Sequence, residues 1–252
     1  MAKVVAFANQ KGGVAKTTTT LNLGVAFQEL GHRVLAVDMD PQSNLTMSLG
    51  LNPDCVRPSM FDVLVNGVSI EEALFCQELD VVVSSIDLAA AEIALSSLIG
   101  RERALSKALM QIRDRYDYIM IDTPPSLGLL TINALTASDA VIVPVQCEYL
   151  SLRGLAQLER TLELVRENLN PGVHIAGIVP TMYDSRTVHG REAVEVLKNS
   201  FGDLVFETAI RKTIKFAEAP VRGESVLKYA PDSQAAKAYR QLAREVLSGK
   251  KI

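Results

Sequence analysis

Six short apolar runs alternate with stretches of helical periodicity, and this alternation restricts the fold more than any other feature of the chain. The runs are VVAFA (4–8), RVLAVD (33–38), LDVVVSS (79–85), YDYIMID (116–122), DAVIVPV (139–145) and HIAGIVPT (174–181). Each is rich in β-branched residues and nearly continuous, without the polar alternation of a strand that has one wet face. Such runs suit a parallel sheet covered on both sides. Between them, Leu23, Ala26, Phe27 and Leu30 recur at i, i+3, i+4 and i+7. That spacing predicts a helix opening near Lys16 and ended by Gly31. Further helices are expected over roughly 89–99, 103–115, 129–137, 151–168, 189–200 and 234–247. Strands alternating with helices form right-handed βαβ units. The expected class is therefore α/β, a mostly parallel twisted sheet with helices on both faces. No repeat, low-complexity tract or linker divides the 252 residues, so one domain over 1–252 is expected, and 48% hydrophobic residues can fill its core.

Charge and cysteine content exclude several classes. A formal net charge of −3 supplies no global field toward nucleic acid, so any polyanion site must be local. Cys55, Cys76 and Cys147 are too widely and irregularly spaced for a disulfide framework or a zinc knuckle. They are expected as buried or half-buried free thiols. MAKVVAFANQ lacks a cleavable leader's pattern, and no stretch approaches the ~20 apolar residues that span a bilayer. A cytoplasmic protein is expected.

In an open α/β sheet, ligands bind beyond the carboxyl ends of the strands. NQKGGVAKTT follows the first run, DMDPQSN closes the second and DTPPS the fourth, so all three gather on one rim. The first reads as a phosphate loop. Gly12 and Gly13 let successive N–H groups turn inward around an anion, and the helix that follows points its N-terminus at the same place. In such a loop Lys16 reaches the β- and γ-phosphates, and Thr17 places its hydroxyl on Mg²⁺. Asp122, closing a hydrophobic strand, is the candidate metal carboxylate. Of Asp38 and Asp40, Asp40 lies further past its strand and is the better candidate to orient water for in-line attack.

K-G-G-x-x-K-T-T, then D-x-D-P-Q, then D-T-P-P-S resembles the signature of the deviant Walker A P-loop ATPases, and closely that of their ParA type, which partitions chromosomes and plasmids. PVQCEYLSLRGL, TMYDSRT, AEAP and AKAYRQLAREV extend the likeness along almost the whole chain. The resemblance implies ATP and Mg²⁺ as ligands and a nucleotide-sandwich dimer. Lys11 would reach across it to the other subunit's phosphates, a cation stabilising charge at the transferred phosphoryl. Asp40 takes the catalytic aspartate's role, Thr17 and Asp122 the metal's. Lys11, Gly12, Gly13, Val14, Ala15, Lys16, Thr17 and Thr18 line the phosphates, and a bulky residue at Gly12 would block closure. Ala15 departs from the family, which most often has glycine there. Alanine at positive φ would cost about 1 kcal/mol and in the α region nothing. The base pocket would come from Thr181, Met182 and the loop Ala209–Thr213, where IRKT stands in place of the frequent I-P-R-N.

The resemblance also locates DNA. Arg186 of the D-x-R-T stretch and Lys215, shortly before E-A-P, match residues that bind DNA without sequence preference, and Arg211 and Lys212 add charge beside them. Lysine at 215, where close relatives tend to have arginine, keeps the charge but not the fork geometry. A ParB-like stimulating partner, a homodimer in ATP and a nucleoid location are implied. A membrane-bound relative would need a bulky amphipathic C-terminal helix. Leu242, Val246 and Leu247 are expected to pack on the domain instead. The other readings are a non-hydrolysing scaffold that only binds ATP, and positioning of a different cargo.

Overall fold

The computed structural model describes residues 1–147, 152–184, 187–249 and 252. Among them seven strands form one sheet: β1 (Lys3–Phe7), β2 (Val34–Asp38), β3 (Leu74–Cys76), β4 (Asp80–Val82), β5 (Tyr118–Asp122), β6 (Ala140–Gln146) and β7 (His174–Thr181). Their spatial order is β3-β4-β2-β5-β1-β6-β7, parallel except for the β3–β4 pair. The helices are α1 (Lys16–Glu29), α2 (Asn44–Ser48), α3 (Met60–Val65), α4 (Ala91–Leu95), α5 (Ala104–Leu109), α6 (Leu129–Ala137), α7 (Leu152–Asn168), α8 (Val188–Phe201), α9 (Lys215–Val221), α10 (Val226–Tyr229) and α11 (Gln234–Ser248).

The continuous apolar runs follow from a core on each face. Along β1, Val4 and Ala6 join a core with α3 to α7, while Val5 and Phe7 join a second one with α1, α10 and α11. Alternate residues of a strand point to opposite faces, so a strand covered twice has no place for a polar residue. Helix α1 is itself covered twice, by the sheet and by α11, and is buried along almost its whole length rather than on one stripe. Leu23, Ala26 and Phe27 lie in that core, but Leu30 falls past the last turn and is 44% exposed. The helix ends as expected: Gly31 has φ +91° and donates its N–H to the Gln28 carbonyl. Leu242 and Val246 of α11 are fully buried and Leu247 packs beside them, so the apolar face of the last helix is already occupied.

Three expectations are corrected. The helix read over 103–115 stops at Leu109, and Arg113–Arg115 form a separate 3₁₀ turn. Arg113 is claimed by the sheet: its carbonyl accepts from Ala2 N, its Nε donates to Ala2 O and its guanidinium pairs with Asp139. The helix read over 89–99 is shorter, α4 ending at Leu95 ahead of Gly100 at φ +72°. Cys55 and Cys76 are exposed and only Cys147 is half-buried; all three are free thiols.

Candidate nucleotide site and basic cleft

The parallel register sets the carboxyl ends of β1, β2 and β5 side by side, with Phe7 and Asp38 each level with Asp122. The loop leaving β1 is tied down before it reaches α1. Asn9 Nδ2 donates to Pro144 O at 2.8 Å, and its Oδ1 accepts from Lys11 N at 3.0 Å. Thr181 Oγ1, at the end of β7, donates to Val14 O at 3.0 Å. Two left-handed residues make the curl, Gly13 at φ +71° and Ala15 at φ +68°, ψ +35°. Of the two conformations open to Ala15, the structure has the one that costs a residue with a Cβ roughly 1–2 kcal/mol. Gly12 is exposed, and a Cβ there would meet only Pro125, at an ordinary 3.6 Å.

Lys16 starts α1 and is only 7% exposed. Its Nζ donates to Lys11 O at 3.4 Å, so it curls back over the loop. Burial pulls its ammonium below the usual lysine range, and Asp122 and Asp40 act against that pull. Thr17 Oγ1 donates to Asp122 Oδ2 at 2.6 Å. Val14 is buried, and Thr18, half-buried, accepts on its carbonyl from Asn22 Nδ2 at 2.7 Å. The side chains read from the sequence as handling phosphate and metal are thus brought to one place.

Three carboxylates converge there. Asp122 is fully buried, and burial first, then Asp38, raises it well above the carboxylate range, opposed by the Thr17 hydrogen bond and Lys16. Burial likewise raises Asp38 to about 7, against donors from Thr46 and the Asp40 amide. Asp40 is 6% exposed, and its Oδ1 accepts from Gln42 N at 2.9 Å. A hydroxyl and a carboxylate oxygen in contact fit Mg²⁺, which keeps several waters and takes few protein ligands. Among the described residues no group of three His, Cys, Asp or Glu could hold a metal. Sequence reasoning missed Asn9, Thr20, Thr46 and Ser84. Thr20 Oγ1 donates to Lys16 O and lies 3.5 Å from Asp122 Oδ1. Only Thr20 carried a signal, four residues after Lys16 and so on the same side of α1.

The two segments read as a base pocket are neighbours. Ile210 N donates to Pro180 O at 2.8 Å and Tyr183 N to Ile210 O at 3.1 Å. Met182 is at φ +52°, while Thr181 spends its hydroxyl on the phosphate loop. Beyond them lies a cleft of about 840 Å³ lined by Arg211, Lys212, Lys215 and Lys237, with Asp232 the acid at its wall. No ion pair joins these four cations to a carboxylate among the described residues, whereas Arg33, Arg57, Arg113, Arg115 and Arg240 are each paired. Arg186 lies outside the described residues. Among the described residues no helix is long and apolar enough to cross a membrane.

Comparison with known proteins identifies the family. A family model described as an AAA domain matches residues 2–175. The sporulation initiation inhibitor protein Soj of Bacillus subtilis is 47% identical over 98% of both chains. The chromosome partitioning protein ParA of Caulobacter vibrioides is 44% identical over 98% of this chain and 94% of that one. Among solved structures, a cobyrinic acid a,c-diamide synthase from Mycobacterium smegmatis with bound ADP and magnesium is 42% identical, with a TM-score of 0.87 over 100% of this chain and 98% of that chain. The cell division ATPase MinD of Pyrococcus furiosus is 26% identical, with a TM-score of 0.80 over 98% and 99%. The chain belongs to the ParA-type family of P-loop ATPases.

Proposed function

We propose that this chain is a partition ATPase that hydrolyses ATP to ADP and phosphate and carries its nucleotide state to DNA. The observation that carries the reading is the convergence of Lys16, Thr17, Asp40 and Asp122 at one strand-end rim, beside a loop curled by Gly13 and Ala15. The loop amides and the start of α1 take the phosphates. Lys16, whose Nζ curls back over the loop to Lys11 O, turns its ammonium to the β- and γ-phosphates. Thr17 and Asp122 would hold Mg²⁺, which neutralises charge on those oxygens. Asp40 orients the attacking water, and its Oδ2 takes no hydrogen bond from the described residues. The base lies between Met182 and the loop 209–213.

Exposed Gly12 leaves the loop open to a second copy whose Lys11 completes the site, so ATP favours a homodimer. Two copies double the charge supplied by Arg211, Lys212, Lys215 and Arg186, and duplex DNA is held without sequence preference. A ParB-like partner accelerates an otherwise slow hydrolysis and releases the DNA. The chain acts in the cytoplasm on the nucleoid, as one ATPase domain over 1–252 in chromosome or plasmid segregation.

The test is ATP hydrolysis with and without random-sequence duplex DNA, beside sizing in ATP. DNA-stimulated turnover, a dimer in ATP and DNA retention only in ATP are expected. Asp40→Ala should hold an ATP dimer without hydrolysis. Turnover indifferent to DNA, with a monomer in ATP, would overturn the partition reading.

A further inference from the structure

Asp40 has to be held still to orient a water, yet it sits in the connection after β2, outside the sheet's hydrogen bonds. A closed ring of buried groups holds it. The Asp40 amide donates to Asp38 Oδ1 at 3.1 Å. Asp38 Oδ2 accepts from both Thr46 N, at 2.9 Å, and Thr46 Oγ1, at 2.8 Å. Thr46 Oγ1 in turn accepts from Ser84 N at 3.0 Å, and Ser84 Oγ donates to Asp40 O at 2.8 Å. The ring therefore returns to the residue where it began. Asp38, Thr46 and Ser84 are each 0% exposed, so no water competes for these bonds. Three elements meet in it: the end of β2, helix α2 and the residue two past β4.

We propose that Thr46 and Ser84 are positioning residues for ATP hydrolysis, fixing the main chain of Asp40 on both sides of its Cα. The inference rests on the water-orienting role given to Asp40 above. Both members are needed in their chemical form. The Thr46 hydroxyl donates to one group and accepts from another, so only a hydroxyl can stand at that point in the ring. The Ser84 hydroxyl reaches a carbonyl that Ser43 N also uses, at 2.9 Å, and so turns a turn bond into a fixed anchor. Neither residue touches the phosphate loop through a hydrogen bond among the described residues. Their loss should therefore act on the chemical step and leave nucleotide binding in place.

The experiment is steady-state ATP hydrolysis of full-length Thr46→Ser, Thr46→Val and Ser84→Ala in the presence of duplex DNA, with a fluorescent ATP analogue to measure binding. A small misplacement at a reacting centre costs up to about 100-fold. Ser84→Ala is expected to lower kcat roughly 10-fold and Thr46→Val further, toward that limit, with affinity for the analogue within about three-fold. Thr46→Ser keeps the hydroxyl and is expected to stay near the parent rate. An unchanged kcat in Ser84→Ala overturns the proposal, as does a Thr46→Ser variant as slow as Thr46→Val. Should Asp40→Ala itself hydrolyse ATP normally, the role of Asp40 fails first. Should Thr46→Val not fold, the kcat and analogue affinity of Ser84→Ala still decide.

Discussion

Ala15→Gly should make this protein more stable without changing what it binds. Ala15 sits at φ +68°, ψ +35°, a conformation that costs a residue with a Cβ about 1–2 kcal/mol and glycine almost nothing. Glycine has the freer unfolded chain, which offsets about 0.4–1 kcal/mol of that relief. The net gain is about 0.5–1 kcal/mol. With a urea slope of about 3 kcal/mol per molar for a chain of this size, the midpoint should rise by about 0.2–0.3 M at constant slope. The thermal midpoint should rise by about 2 °C. Ala15→Val should move the other way by at least as much, because a β-branched side chain tolerates left-handed backbone least. ATP affinity should stay within about three-fold, since the loop amides are set by a conformation that alanine already adopts. Urea unfolding of the three proteins in the absence of nucleotide, with ATP titrations alongside, reads both quantities. A glycine variant that is no more stable, or less so, would refute the reasoning. The alanine Cβ would then contribute packing that outweighs the backbone strain.

Lys16→Ala removes the buried cation that curls over the phosphate loop, and ATP affinity should fall at least 100-fold by calorimetry; normal affinity would take the loop out of the mechanism. Arg211→Ala, Lys212→Ala and Lys215→Ala together should weaken ATP-dependent DNA binding uniformly across sequences. The log–log salt dependence should flatten by about 1 for each phosphate no longer neutralised, measured by fluorescence anisotropy. An unchanged slope would clear the cleft of any part in DNA binding. Asn170→Ala is a test of the scaffold alone. Its Nδ2 lies 3.0 Å from Thr136 O and 2.7 Å from Ser138 O, closing the end of α6 onto the turn before β7. Its loss should cost about 1–3 kcal/mol in urea unfolding with ATP turnover per folded molecule unchanged.

The sheet was legible because double coverage leaves a strong mark: six continuous apolar runs became six of the seven strands within a residue or two, except LDVVVSS, of which only Asp80–Val82 pairs as a strand. The seventh, β3, spans Leu74–Cys76, is antiparallel and lies at the edge, where three residues carry no periodicity to read. Short helices escaped for the same reason. Four or five residues, as in α2 and α10, are held by tertiary contacts and not by propensity. At the site, glycines, a lysine and strand-terminal aspartates announced themselves because phosphate and metal chemistry restricts residue type. The groups that hold them did not. Asn9, Thr46 and Ser84 are ordinary polar residues whose partners lie 135, 8 and 44 positions away, and only the fold brings them into contact. Asp38 shows the divide within one motif. Its position two residues before Asp40 drew attention to both, yet among the described residues Asp40 keeps an open oxygen while Asp38 is consumed by its ring. A motif can nominate the pair; which carboxylate faces the reaction follows from which one the surrounding amides and hydroxyls have already claimed.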